Sequence, residues 1–181
     1  YADFRKELVG EASKEIKSRA KVSEKELKKR ALAIAVAAMK YSMIKQDPNK
    51  VIIFNPKEAI HFEGDTGPYL LYSYARARSI LRKAKSRKGK LEISEIGDSE
   101  KRLISVLGKF PEVVSHSYEQ LAPNIIANYA YELSQTFNEF YHASHVIGSE
   151  EEAFRLKLVE NFTQVLKNAL HLLGIEVIEE M

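Results

Sequence analysis

The stretch Gly64-Asp65-Thr66-Gly67-Pro68-Tyr69-Leu70-Leu71-Tyr72-Ser73-Tyr74-Ala75-Arg76-Ala77-Arg78-Ser79-Ile80-Leu81-Arg82-Lys83-Ala84 decides how the chain is read. Asp65 or Thr66 can cap a helix through a side-chain oxygen, and Pro68 suits a first turn, where its missing N–H is no loss. The spacing predicts a helix running to about Ser86. At about 100° per residue, Leu70, Tyr74, Ala77, Leu81 and Ala84 share a stripe suited to a core. Tyr69, Tyr72, Arg76, Ser79 and Lys83 fall on the neighbouring stripe, and Arg78, Arg82 and Lys85 on a third face. One edge thus carries rings and positive charge together. Such an edge can stack unpaired bases, at roughly 1–3 kcal/mol each, and meet phosphates. It can also be packing tyrosines beside a solvated basic face, and the pattern alone favours that plainer reading.

Charge along the chain is uneven. Residues 67–90 hold eight Lys and Arg and no Asp or Glu, while the rest of the 181 residues carries 20 basic against 25 acidic side chains. A basic segment on a mildly acidic body suits a directed polyanion site better than general adhesion. Cysteine is absent, which excludes disulfides, thiolate metal ligands and thiol nucleophiles. The longest apolar run, residues 31–39, is too short to cross a bilayer, so no membrane partner is expected. The first residues, Tyr-Ala-Asp-Phe-Arg-Lys-Glu, are not a secretory signal. With no initiator Met, the chain is expected to be a piece of a longer protein.

Upstream, Leu8, Ala12, Ile16 and Ala20 repeat at four-residue steps and predict a helix over residues 4–20. Ser23-Glu24-Lys25-Glu26 has capping-box spacing and should open a second helix, ending before Asp47-Pro48-Asn49. Val51-Ile52-Ile53-Phe54 is the one strand candidate, and Pro56 can open a helical turn. Downstream, residues 87–96 read as an exposed connection. Further helices are expected from Asp98-Ser99 to Gly108, from Pro111, over residues 123–141, and from a second capping box at Ser149 to Gly174. The expected architecture is all-α. Residues 64–181 form a helix bundle, and residues 1–63 form a helical lead-in carrying one short strand.

Few other residues suggest chemistry. Asn138-Glu139-Phe140-Tyr141-His142 ends a helix whose core face holds Ile126, Tyr129, Ala130, Leu133 and Phe137. Tyr141 and His142 could present exposed rings there, and Asn138 has the donor and acceptor to read a base edge. His142 and His145 lack a third ligand at telling spacing, so no metal site is expected. The acidic clusters at residues 98–100, 150–152 and 179–180 read as caps and tail charges rather than catalytic pairs. No phosphate loop, dinucleotide fingerprint or nucleophile motif occurs. No catalytic residue is expected here.

The segment from Phe62-Glu63-Gly64-Asp65-Thr66-Gly67-Pro68-Tyr69 through Ala84 resembles the opening helix of the anticodon-binding domain of arginyl-tRNA synthetases, nearest their archaeal and eukaryotic branch. Phe110-Pro111-Glu112-Val113-Val114, Leu133-Ser134-Gln135-Thr136-Phe137-Asn138 and Val165-Leu166-Lys167-Asn168-Ala169-Leu170 match in order. The terminal Met181 matches as well. Where the family carries Asp-Ala-Leu-Arg, this chain reads Ala37-Ala38-Met39-Lys40. The family's two class I catalytic signatures, His-Ile-Gly-His and Lys-Met-Ser-Lys-Ser, do not occur.

The resemblance implies a fragment inactive alone, from a cytoplasmic enzyme that uses ATP and magnesium elsewhere in the parent chain, with no cofactor in these residues. Its implied partners are the anticodon stem and loop of the arginine tRNA and the catalytic domain of the same parent chain; no oligomer is implied. It implies that Tyr69, Tyr72 and Tyr141 lie against the anticodon loop, with Arg76 nearby. It also implies that Met181 folds back so that main-chain groups meet a base. From their own chemistry, not from the resemblance, Lys83 on the basic face is expected at a phosphate and Asn138 at a base. The rival readings are a helical protein-interaction module using the faces of residues 133–140 and 156–173, and a stand-alone RNA-binding protein.

Overall fold

The computed structural model describes residues 2–19, 22–84 and 95–181. Eight helices form among the described residues: α1 (Ala2–Arg19), α2 (Glu24–Ile44), α3 (Pro56–Ala59), α4 (Gly67–Lys83), α5 (Asp98–Gly108), α6 (Phe110–Glu119), α7 (Asn124–Ala143) and α8 (Glu152–Leu172). Their starts follow local chemistry. The Ser23 hydroxyl accepts the Glu26 N–H at 3.3 Å, and the Thr66 hydroxyl accepts the Tyr69 N–H at 3.3 Å. Pro56, Pro68 and Pro111 stand in first turns. The capping box expected at Ser149 does not form. Instead the Glu152 carboxylate reaches back to the Gly148 N–H at 2.6 Å, while the Ser149 hydroxyl donates to the Val146 carbonyl.

Two other expectations are corrected. Residues 51–54 are irregular, and no strand occurs among the described residues. Val51 and Ile53 are 94% and 92% exposed: no described segment lies alongside to complete a ladder, and β-branched side chains alone cannot hold one strand. Second, α4 stops at Lys83, with Ala84 in extended backbone at ψ 117°. Ala20, Lys85, Ser86 and most of the connection over residues 87–96 lie outside the described residues.

Helix α4 is the centre of the packing, touching α2, α7 and α8. Its predicted core stripe of Leu70, Tyr74, Ala77 and Leu81 is buried, joined by Leu71, Ala75 and Ile80. One apolar core runs from Ala12 and Ile16 of α1 through Leu133, Phe137 and Phe140 of α7 to Phe162 and Leu166 of α8. The Phe137 and Phe162 rings stack at 3.8 Å between centroids. Burying each such side chain contributes about 1.5–3 kcal/mol. The α7 and α8 faces considered for partner binding are therefore occupied by each other and by α4.

The crossing of α2 and α4 is close enough to dictate a residue. A Cβ on Gly67 would lie 2.3 Å from the Ala37 carbonyl oxygen, so the main chains meet only because this residue has no side chain. Beside it, the Tyr41 hydroxyl donates to Asp65 at 2.5 Å and Lys45 pairs with the same carboxylate at 3.0 Å. Burial, then the Asp65 hydrogen bond, pushes the Tyr41 pKa far above the ordinary value. At the other end of the bundle, the Glu100 carboxylate is 2% exposed. It accepts the Gly97 N–H at 2.6 Å and pairs with Arg155 at 2.7 Å, tying α5 to α8.

Candidate nucleic-acid interface

The helix phase deduced for α4 places Tyr69, Tyr72 and Arg76 half-buried on the edge facing α7, with Lys83 exposed further along. Helix α7 presents Asn138 and Tyr141 to that edge. Asn138 organises the junction: its Nδ2 donates to the Tyr69 hydroxyl at 2.8 Å and to Ser73 Oγ at 3.1 Å. Its Oδ1 accepts from the Arg76 guanidinium at 2.9 Å. The Asn138 amide group is thus engaged within the protein by Tyr69, Ser73 and Arg76. Tyr69 also packs edge-on against Tyr131 at 5.7 Å.

Arg76 is held from three sides. Besides Asn138, it donates to the Tyr72 hydroxyl at 2.7 Å. Its guanidinium lies 4.6 Å from the centroid of the Tyr72 ring and 5.4 Å from that of the Tyr141 ring. The cation draws the two rings toward one another across the helix boundary. Tyr141 is 37% exposed, and its ring also lies 6.5 Å from the stacked Phe137 ring and 5.8 Å from the tilted His142 ring. The result is a row of flat groups, Tyr72, Arg76 and Tyr141, open on one side.

That row lines a groove of about 810 Å³, together with Lys83, His142, His145, Arg30 and Met181. A smaller adjoining cavity of about 280 Å³ shares Tyr72, Arg76 and His142 and adds Tyr69 and Asn138. The two hollows bring together all seven residues expected at the site: Tyr69, Tyr72, Arg76, Lys83, Asn138, Tyr141 and Met181. Among the described residues no trio of His, Cys, Asp or Glu is placed to hold a metal ion.

The basic face is less open than its sequence suggests. Arg78 Nε meets a Glu179 carboxylate oxygen at 2.6 Å, and Arg82 donates to the Glu179 carbonyl at 3.0 Å. The Glu179 hydrogen bond raises the Arg78 pKa further above its ordinary range. Two arginines of the basic segment are therefore engaged by residues read from sequence as tail charges. Lys85, Arg87, Lys88 and Lys90 lie outside the described residues. Arg30 of α2, absent from the expected site, contributes to the groove wall. Its place in the run Lys28-Lys29-Arg30 carries no signal that separates it from its exposed neighbours.

A family model described as the DALR anticodon binding domain matches residues 70–181. The chain belongs to the DALR anticodon-binding domain family. The arginine–tRNA ligase of Clostridium botulinum strain 657 is 36% identical over 178 residues, covering 96% of this chain and 30% of that protein. The corresponding ligase of Flavobacterium psychrophilum is 39% identical over 151 residues, covering 82% of this chain and 25% of its own. Among solved structures, the arginyl-tRNA synthetase of Thermus thermophilus matches with TM-score 0.92 at 32% identity, over 99% of this chain and 32% of that one. The Plasmodium falciparum enzyme gives 0.89 at 28% identity, over 99% and 33%. Bacterial and eukaryotic relatives both match, so the likeness does not single out one branch. This DALR-family chain spans about a third of the length of the proteins it matches.

Proposed function

We propose that this DALR-family chain grips the opened anticodon loop of the arginine tRNA, as part of a longer cytoplasmic arginyl-tRNA synthetase. The observation that carries the reading is the row of Tyr72, Arg76 and Tyr141 along a groove of about 810 Å³. Flat rings on either side of a guanidinium offer sequence-tolerant stacking surfaces to unpaired bases. Lys83, exposed on the same groove, is placed to meet a phosphate. Asn138 holds Tyr69 and Arg76 in position, and Met181 lines the groove, where its main-chain groups would serve base choice.

Residues 64–181 would make these contacts, while residues 1–63 connect them to the catalytic domain of the parent chain. ATP and magnesium would act in that domain. Titrating the chain with arginine-tRNA transcripts at two salt concentrations tests the reading. Affinity should fall as salt rises, with a slope of about 0.7 per single-strand phosphate met. Affinity indifferent to both salt and anticodon sequence would sink it.

A further inference from the structure

We propose that Arg30, Arg78 and Arg82 are positioning residues that set anticodon base choice through the acidic tail, rather than by meeting phosphates themselves. This rests on the anticodon reading above. Beyond α8 the chain makes a left-handed turn at Gly174, φ 66°, where the Lys40 ammonium donates to the Gly174 carbonyl. Ile175 and Ile178 then bury their side chains in the core. After Ile178 the hydrophobic anchoring stops until Met181, which is half-buried on the groove wall. The two residues between are Glu179 and Glu180, each with a side chain 54% exposed. Two adjacent exposed acidic residues with no apolar anchor of their own stay ordered only when they are tied down.

Three arginines and one tyrosine tie them. Glu179 accepts from Arg78 at 2.6 Å and from the Tyr74 hydroxyl at 3.2 Å, and its main-chain carbonyl accepts from Arg82 at 3.0 Å. Glu180 pairs with Arg30 at 3.0 Å and with Arg82 at 3.6 Å. The Arg30 side chain is only 12% exposed and is itself fixed by Glu26 at 2.8 Å. A single exposed ion pair would add little, but these contacts converge on two adjacent residues from both α2 and α4. Their effect is to fix Met181 beside Tyr72, Arg76 and Tyr141 before any ligand arrives, removing the ordering penalty from the binding step.

The alternative role, direct phosphate contact with the tail as a competitor, predicts effects of opposite sign. The full 181-residue chain is titrated with an arginine anticodon stem-loop and with a copy carrying one swapped anticodon base, at two salt concentrations. Positioning through the tail requires that Arg30→Gln, Glu179→Gln and Glu180→Gln all reduce discrimination between the two stem-loops, by about tenfold, the worth of roughly one hydrogen bond. The salt slope should stay unchanged, and amide exchange over residues 175–181 should accelerate in the same variants. The swapped pair Arg78→Glu with Glu179→Arg should recover part of what either change alone loses.

The inference is overturned if Glu179→Gln or Glu180→Gln tightens binding, or if Arg30→Gln lowers the salt slope by about 0.7 while discrimination survives. The two glutamate variants alter exposed tail positions and leave the core intact, so they decide the matter even if Arg30→Gln fails to fold. A parent chain that does not discriminate at all refutes the anticodon reading and this inference with it. Discrimination in the parent that all the variants retain refutes only the inference.

Discussion

Replacing Gly67 by alanine should separate two helices that the rest of the fold holds together. The added Cβ would lie 2.3 Å from the Ala37 carbonyl oxygen, 2.6 Å from the Ala37 carbonyl carbon and 3.1 Å from the Ala38 nitrogen. Ordinary carbon contacts begin near 3.5 Å, so α2 and α4 must part by about 1 Å. All three atoms are main chain, and no side-chain rotation relieves the clash. Overpacking of this kind costs about 1–3 kcal/mol, and alanine recovers about 0.5–1 kcal/mol as a better helix former than glycine. Gly67 is the first residue of α4, where that gain is smallest, so the clash wins and the net loss reaches about 2.5 kcal/mol at most. Urea denaturation should show a lower midpoint with an unchanged m-value. Gly10 in α1 is the comparator: nothing lies within 4 Å of its would-be Cβ, so Gly10→Ala should raise stability by about 0.5–1 kcal/mol. A Gly67→Ala chain as stable as the parent, or equal losses at both glycines, would refute the argument from close approach.

Arg155→Met leaves the Glu100 carboxylate 2% exposed beside a backbone N–H but without its cation, and should cost about 3 kcal/mol in the same denaturation assay. Tyr41 and Tyr129 are both pushed by burial above the ordinary tyrosine pKa of about 10. Such groups contribute stability that is complete below about pH 10 and lost as pH rises through their folded-state values. Urea midpoints should therefore fall between pH 9 and pH 11, and fall less in Tyr41→Phe, which forgoes the Asp65 hydrogen bond at both values. Tyr72→Ala should weaken stem-loop binding by roughly 1–3 kcal/mol with little change in salt slope. Lys83→Ala should instead lower the slope and leave base preference intact. Fluorescence titration at two salt concentrations separates the two.

Much of the fold was legible because its signals are local. The four-residue repeat of α1, the Thr66 cap, the first-turn prolines and the Gly174 stop each act within a few residues of themselves. The α4 stripe was legible for the same reason, and it put Tyr69, Tyr72 and Arg76 on one edge. Val51-Ile52-Ile53-Phe54 misled because β propensity expresses itself only against a neighbouring strand, and none lies there among the described residues. The site's internal wiring was not legible. Asn138 has the groups of a base reader, and its engagement by Tyr69 and Ser73 depends on partners 69 and 65 positions away. The tail clamp joins Arg30 to Glu180 across 150 positions, and no local signal pairs residues so far apart.

The most direct test of the central claim is the ratio of dissociation constants for two anticodon stem-loops of the arginine tRNA, one intact and one with a single anticodon base exchanged. The account predicts that the intact loop binds at least about tenfold more tightly, roughly one hydrogen bond's worth of base recognition. It also predicts that the ratio persists as salt weakens both. Equal affinities at low and high salt would contradict it.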